Sequence, residues 1–248
     1  MQPANDRPLF HVKLCGVTSA ADARLAAAAG ADAVGFNFVP GSPRRIDPTL
    51  AREAVAVLPA GVLAVGVFAG ASPAEMLATA AAAGLHAIQL HGHLDGGDSA
   101  HDPPARCREL TGLPVIRALR MGDDGLATAR RWLEAAAAAG RRPDMLVVDA
   151  GVPQGEAAGR LGGTGQRVDW EAFAREEPLG LPVALAGGLS PENVAAAIRA
   201  TGVVAVDTAS GVETSPGHKD AERMRAFVAA ARTALGLPAH PVRIPGNG

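Results

Sequence analysis

Cys15 and Asp149 are the side chains whose types and settings most readily combine into proton-transfer chemistry. Each ends a run that reads as a β-strand: Cys15 precedes Gly16, and Asp149 follows Leu146-Val147-Val148. A thiolate with a lowered pKa acts as a base or nucleophile. A partly desolvated carboxyl holds its proton toward neutrality and can deliver it. Taken singly, Cys15 reads equally as an inert buried thiol and Asp149 as a loop cap; as two strand ends they form a possible base–acid pair. Arg44 and Arg45 occupy a loop, where a guanidinium can grip a carboxylate through two parallel hydrogen bonds; either alone reads as a solvated charge. His91 and Asp207 also stand at strand ends and are candidates for substrate contact. Gly187-Gly188 and Ser210-Gly211 supply small-residue loops in which backbone N–H groups can approach an anion.

Other chemistries find little support. His91, His93 and His101 have no metal-ligand spacing, so no metal site is expected. The run Gly162-Gly163-Thr164-Gly165 lacks the Lys-Ser/Thr of a P-loop, and no dinucleotide fingerprint follows the first strand. No cofactor is therefore expected. Net charge is −2 with no block of Lys or Arg, Tyr is absent and aromatics are 3%, which argues against a nucleic-acid partner. Cys107 falls in a predicted helix and reads as structural; with two cysteines there is no disulfide framework, and a reducing cytoplasm is the expected location. The opening MQPANDRPLF has no apolar signal core, and the alanine run 135–139 is too short to cross a bilayer.

The elements that must position these residues repeat along the chain. Strands are read at 10–15, 32–38, 62–68, 86–90, 114–118, 144–149, 182–186 and 203–207. Helices are read between and after them at 19–29, 48–58, 72–83, 103–111, 123–139, 169–176, 190–200 and 219–235. The strands are near-continuous apolar runs, as expected of parallel strands buried on both faces. Ser72-Pro73 and Ser190-Pro191 are read as helix starts, and Gly30, Gly84 and Gly202 as helix stops. Eight β–α units favour an α/β chain folded as a single (β/α)8 barrel over 1–248, with flexible tails at 1–9 and 238–248. Such barrels act at the carboxyl ends of their strands and often bind phosphate at the loops after strands seven and eight. That rule selects Cys15, His91, Asp149 and Asp207, with Gly187, Gly188, Ser210 and Gly211 as the phosphate grip. The oligomeric state is left open.

An ordered set of motifs carries a resemblance. Val12-Lys13-Leu14-Cys15-Gly16-Val17-Thr18, Ser42-Pro43-Arg44-Arg45, Gln89-Leu90-His91-Gly92, Gly162-Gly163-Thr164-Gly165, Ala186-Gly187-Gly188 and Ser210-Gly211-Val212-Glu213 resemble, in order, those of phosphoribosylanthranilate isomerases. The resemblance implies a cofactor-free Amadori rearrangement of a phosphosugar substrate in tryptophan biosynthesis. It implies Asp149 as the acid toward the furanose ring oxygen and Cys15 as the base toward the sugar C2 hydrogen. Arg44 would hold the anthranilate carboxylate, and the two small-residue loops the phosphate. The stretch from Asp149 to Gly162 is longer than usual in that family, His93-Leu94 stands where acidic residues are common, and Ala209 stands where serine is frequent. The rivals are a related phosphosugar isomerase and a non-catalytic barrel that binds a phosphorylated ligand. The histidine-pathway isomerase uses two aspartates where this chain has Cys15 and Asp149, and indole-glycerol-phosphate synthase would need lysines at strand ends, which are not found there.

Overall fold

Side chains alternate across a strand, so a parallel strand with two apolar faces must be covered on both. The structure, a computed structural model, describes residues 7–92, 102–122, 124–149 and 170–238. Strands β1 (Val12–Cys15), β2 (Ala33–Asn37), β3 (Leu63–Phe68), β4 (Ala87–Leu90), β5 (Val115–Arg120), β6 (Met145–Asp149), β7 (Val183–Ala186) and β8 (Ala205–Thr208) pair in parallel, in chain order, into a closed barrel. The β1–β8 pairing closes it, with Lys13 opposite Asp207. Helices α1 (Ala20–Ala28), α2 (Pro48–Ala56), α3 (Pro73–Ala83), α4 (Arg106–Glu109), α5 (Ala127–Ala138), α6 (Trp170–Ala174) and α7 (Val194–Thr201) lie between successive strands. The chain ends with α8 (Ala221–Ala234).

Alternation divides the core in two. Phe10, Ala33, Val65, Ala87, Ile116, Met145, Val147, Ala184 and Ala205 fill the barrel. Leu14, Val34, Ile88, Leu146 and Leu185 point the other way and pack with helix residues such as Met76, Leu133 and Phe227. Burying each large apolar side chain of this outer layer contributes about 1.5–3 kcal/mol. The expected closed barrel is thus the observed fold.

Local signals explain most helix ends. Ser72 caps α3 by a reciprocal box: its Oγ accepts from Glu75 N (3.3 Å) while Glu75 Oε2 accepts from Ser72 N (2.8 Å). Gly84 and Gly202 end α3 and α7 with φ of 72° and 66°, and Gly30 follows α1 at φ 93°. The expected start at Ser190 differs. Asn193 Oδ1 accepts from Ser190 N (2.8 Å), and Asn193 Nδ2 donates to Gly188 O (3.0 Å), so residues 190–193 form a closed turn and α7 begins at Val194. Helix α5 begins at Ala127 rather than 123, because Gly122 and Gly125 exchange two backbone hydrogen bonds ahead of it. A 3₁₀ turn at Ser210–Val212 and a hairpin of β9 (Glu213–Ser215) and β10 (His218–Lys219) stand between β8 and α8, where the sequence reading had only a loop. Residues 1–6 and 239–248 of the expected tails and the whole 150–161 loop lie outside the described residues.

Candidate active site

Lys13 and Cys15 are two residues apart on β1 and so share a face. That face is the barrel interior: Lys13 Nζ donates to Asp207 Oδ2 (2.8 Å) across the β1–β8 seam. The Lys13 side chain is wholly buried and that of Asp207 is 8% exposed. Cys15 is half-buried at the strand end. Gly35, its neighbour in register on β2, makes room for it. A Cβ on Gly35 would lie 2.7 Å from Cys15 Sγ, 3.1 Å from Cys15 Cα and 3.1 Å from Lys13 Cε.

Burial pushes the Cys15 thiol above its ordinary value, and the Lys13 charge is the largest influence drawing it back. Burial also disfavours the Lys13 ammonium, but Asp207 and Cys15 together hold it above its ordinary value. Burial raises Asp207 as well, with the charge of Asp149 adding to it and Lys13 opposing it. Asp207 Oδ1 is buried and has no hydrogen-bond partner among the described residues, which leaves an acceptor at the barrel interior.

A second group of charges covers the mouth beside Cys15. Arg44, in the loop after β2, places its Nε 2.9 Å from Glu213 Oε1 and its Nη2 2.7 Å from Glu213 Oε2. Glu213 Oε1 also accepts from Lys219 Nζ (2.7 Å), and Lys219 Nζ donates to the carbonyl oxygens of Cys15 (2.6 Å) and Ala209 (2.9 Å). The hairpin β9–β10 is therefore stapled to the end of β1 and to the β2 loop. Burial favours the neutral form of Glu213, yet Arg44 and Lys219 hold its carboxyl below the ordinary value. Glu213 takes one edge of the Arg44 guanidinium, through Nε and Nη2.

The two small-residue loops meet. Gly187 and Gly188 follow β7 with φ of 94° and 63°, a conformation that side chains strain. Thr208 Oγ1 donates to Leu189 O (2.7 Å), and a Cβ on Gly211 would run into that same oxygen. The loops after β7 and β8 thus close on one another through Leu189, Thr208 and Gly211.

Asp149 ends β6 on the inward-facing parity, with its carboxylate close enough to influence Asp207. His91 lies just past β4, its backbone N–H bonded to Phe68 O (2.7 Å). Cys15, Asp207 and Asp149 therefore share the barrel mouth with Arg44, while His91 approaches from β4. His93, His101 and the run Gly162–Gly165 lie outside the described residues. Lys13, Lys219 and Glu213 went unassigned in the sequence reading. For Lys13 the signal was present: a charge two residues before Cys15 within a buried strand. Among the described residues no cluster of three or more His, Cys, Asp or Glu could hold a metal ion, and no helix is long and apolar enough to cross a membrane.

Residues 12–230 match the family model described as N-(5'-phosphoribosyl)anthranilate (PRA) isomerase. The N-(5'-phosphoribosyl)anthranilate isomerase of Myxococcus xanthus is 44% identical over 90% of this chain and 96% of its own. That of Rubrobacter xylanophilus is 44% identical over 90% of this chain and 98% of its own. The crystal structure of the Thermotoga maritima phosphoribosyl anthranilate isomerase superposes with a TM-score of 0.76 at 33% identity, covering 90% of this chain and 99% of that one. A further phosphoribosyl anthranilate isomerase structure, in complex with reduced 1-(o-carboxyphenylamino)-1-deoxyribulose 5-phosphate, superposes with a TM-score of 0.72 at 32% identity over the same shares.

Proposed function

The chain belongs to the N-(5'-phosphoribosyl)anthranilate isomerase family and is an isomerase of tryptophan biosynthesis, and from that premise we propose how its barrel mouth performs the reaction. The substrate N-(5'-phosphoribosyl)anthranilate becomes 1-(2-carboxyphenylamino)-1-deoxyribulose 5-phosphate. Asp149, as the general acid, gives a proton to the furanose ring oxygen. The C1–O bond breaks, and the anilino nitrogen supplies the electron pair that forms a Schiff base at C1. Cys15, acting as the general base, takes the hydrogen from C2 as a proton, and the C2–H electrons move toward C1 to give the enolamine. Tautomerisation puts a hydrogen on C1 and leaves a ketone at C2, so the atoms balance without an external oxidant or reductant.

The remaining residues bind. The Arg44 edge not taken by Glu213 receives the anthranilate carboxylate as two parallel charge-assisted bonds. Gly187, Gly188, Ser210 and Gly211 receive the phosphate through main-chain N–H groups. Asp207 Oδ1 accepts from a sugar hydroxyl, and His91 contacts the substrate from the opposite rim. The two free thiols suit a reducing compartment, and we place the enzyme in the cytoplasm.

The observation that carries this reading is the placement of Cys15 and Asp149 as the last residues of β1 and β6, on the face that lines the barrel. The test is loss of substrate fluorescence on mixing with freshly made phosphoribosylanthranilate. Native protein turns over, and Cys15→Ala and Asp149→Ala each fall by roughly 100- to 10,000-fold while remaining folded. Near-native turnover in either variant removes that residue from its role.

A further inference from the structure

We propose that Lys13 is a positioning residue for this reaction: its ammonium, fixed by Asp207 and packed with Cys15 over Gly35, sustains the thiolate that removes the C2 hydrogen. The inference rests on the reading of Cys15 as the base.

The geometry begins with strand parity, which sends both side chains into the barrel. The space above Gly35 then brings them together. The absent Cβ of Gly35 would sit 2.7 Å from the thiol sulfur and 3.1 Å from Lys13 Cε, so those two atoms are no further apart than the two distances combined. The ammonium beyond Cε is anchored from the other side by Asp207 Oδ2 at 2.8 Å. Lys13 is thus clamped between β8 and the thiol.

The barrel interior below this pair is mostly apolar, with Phe10, Val65, Ile116, Met145, Val147 and alanines, and Gln89 as a further buried polar side chain. Replacing a buried ion pair by apolar side chains of similar volume is often neutral or stabilising. A fully buried lysine beside a thiol therefore calls for a role other than packing.

The charges that face Cys15 are Lys13 from its own strand, Asp207 from β8, Lys219 from β10 and Arg44 from the β2 loop. Glu213 stands behind the last two and serves both. Among the described residues, three cations and two carboxylates thus surround the thiol before substrate arrives, and a thiolate evens that balance. Burial resists ionisation of Cys15, and the Lys13 charge counters it more than Lys219 does.

The experiment titrates the thiolate absorbance near 240 nm and the pH dependence of kcat in native protein, Lys13→Gln and Lys13→Arg. Each spectrum is referred to the same protein carrying Cys15→Ala, which removes the Cys107 signal. In Lys13→Gln the Cys15 titration and the acid limb of kcat are expected to rise together by about one to three pH units. Activity lost near neutrality returns in part at higher pH, and Lys13→Arg restores both curves. Should Lys13→Gln fail to fold, Lys13→Gln with Asp207→Asn keeps the site neutral. The same direction is expected there, because Lys13 acts on the thiol more strongly than Asp207 does. A Lys13→Gln protein that loses activity while its thiol titrates as in native protein overturns the proposal. Turnover by Cys15→Ala itself would instead remove the base assignment, a distinct outcome read on a different variant.

Discussion

Two thiols in this protein each lie beside a buried ion pair, and they differ in which side of the barrel wall they occupy. Cys15 neighbours Lys13–Asp207 on the inner face. Cys107 neighbours Arg117–Asp102 on the outer one, since Ile116 and Ala118 on either side of Arg117 point inward. Both pairs are sequestered, with side-chain exposures of 0%/8% and 0%/0%.

The surroundings decide what each pair does. Arg117 stacks over the Trp132 ring at 4.9 Å and donates to Gly92 O (2.6 Å), while Asp102 accepts from Gly92 N (2.8 Å). Trp132 Nε1 donates to Asp102 O (3.0 Å). This network ties the segment after β4 to β5 and α5, and it lies under helices. Cys107 within it is fully buried, and burial pushes its thiol up to about 11. The inner pair is likewise a salt bridge but opens on the mouth, with Asp207 Oδ1 lacking a hydrogen-bond partner among the described residues and Cys15 half-buried. Burial of charge is therefore not the mark of the site; strand parity and the carboxyl end are.

The largest expected effect separates the two networks through stability. Arg117→Met leaves Asp102 buried without its charge partner and costs about 3–5 kcal/mol in denaturant unfolding, while kcat per folded molecule stays within a few-fold of native. A variant of native stability would show that the outer pair is not structural, and the contrast would fail.

A smaller effect sharpens the inner side. Gly35→Ala introduces a Cβ 3.1 Å from the Cys15 backbone and 2.7 Å from its sulfur, which displaces the thiol. Overpacking of this kind costs about 1–3 kcal/mol. Here kcat is expected to fall more than thermal stability does, and equal kcat in the two proteins would mean that the thiol position is not critical.

The smallest effect concerns pH. The Cys107 thiol ionises near 9.0 when unfolded but only at about 11 in the native protein. Between those values the unfolded state has lost a proton that the native state keeps, so stability falls as pH rises. The slope is at most about 1.4 kcal/mol per pH unit. Cys107→Ala should flatten the alkaline limb of a stability–pH curve across that window. An unchanged limb would assign the loss to other groups.

The same contrast shows what one sequence makes legible. The barrel was readable because eight apolar runs alternate with capped amphipathic stretches, and Cys15 and Asp149 because a polar residue ending such a run falls at the mouth. Lys13 was visible only by following parity inward from Cys15 rather than by looking at strand ends. Lys219 was not visible at all. It reaches the Cys15 carbonyl from 204 residues away, through a 3₁₀ turn and hairpin that have no periodic signature. Asn193, not Ser190, organises the turn before α7, because its amide places an acceptor on Ser190 N and a donor on Gly188 O at once, while the Ser190 hydroxyl is taken by Glu192. The stretch from Asp149 to Gly162, singled out as a departure from the family, lies outside the described residues beyond Asp149 itself.

The measurement that bears most directly on the central claim is alkylation of the native enzyme by iodoacetamide, with labelled sites mapped by mass spectrometry and residual turnover followed in the same samples. Activity is expected to be lost in step with labelling of Cys15, with protection by reduced product analogue, while Cys107 stays unlabelled until the protein unfolds. Full turnover by enzyme labelled at Cys15 would contradict that claim.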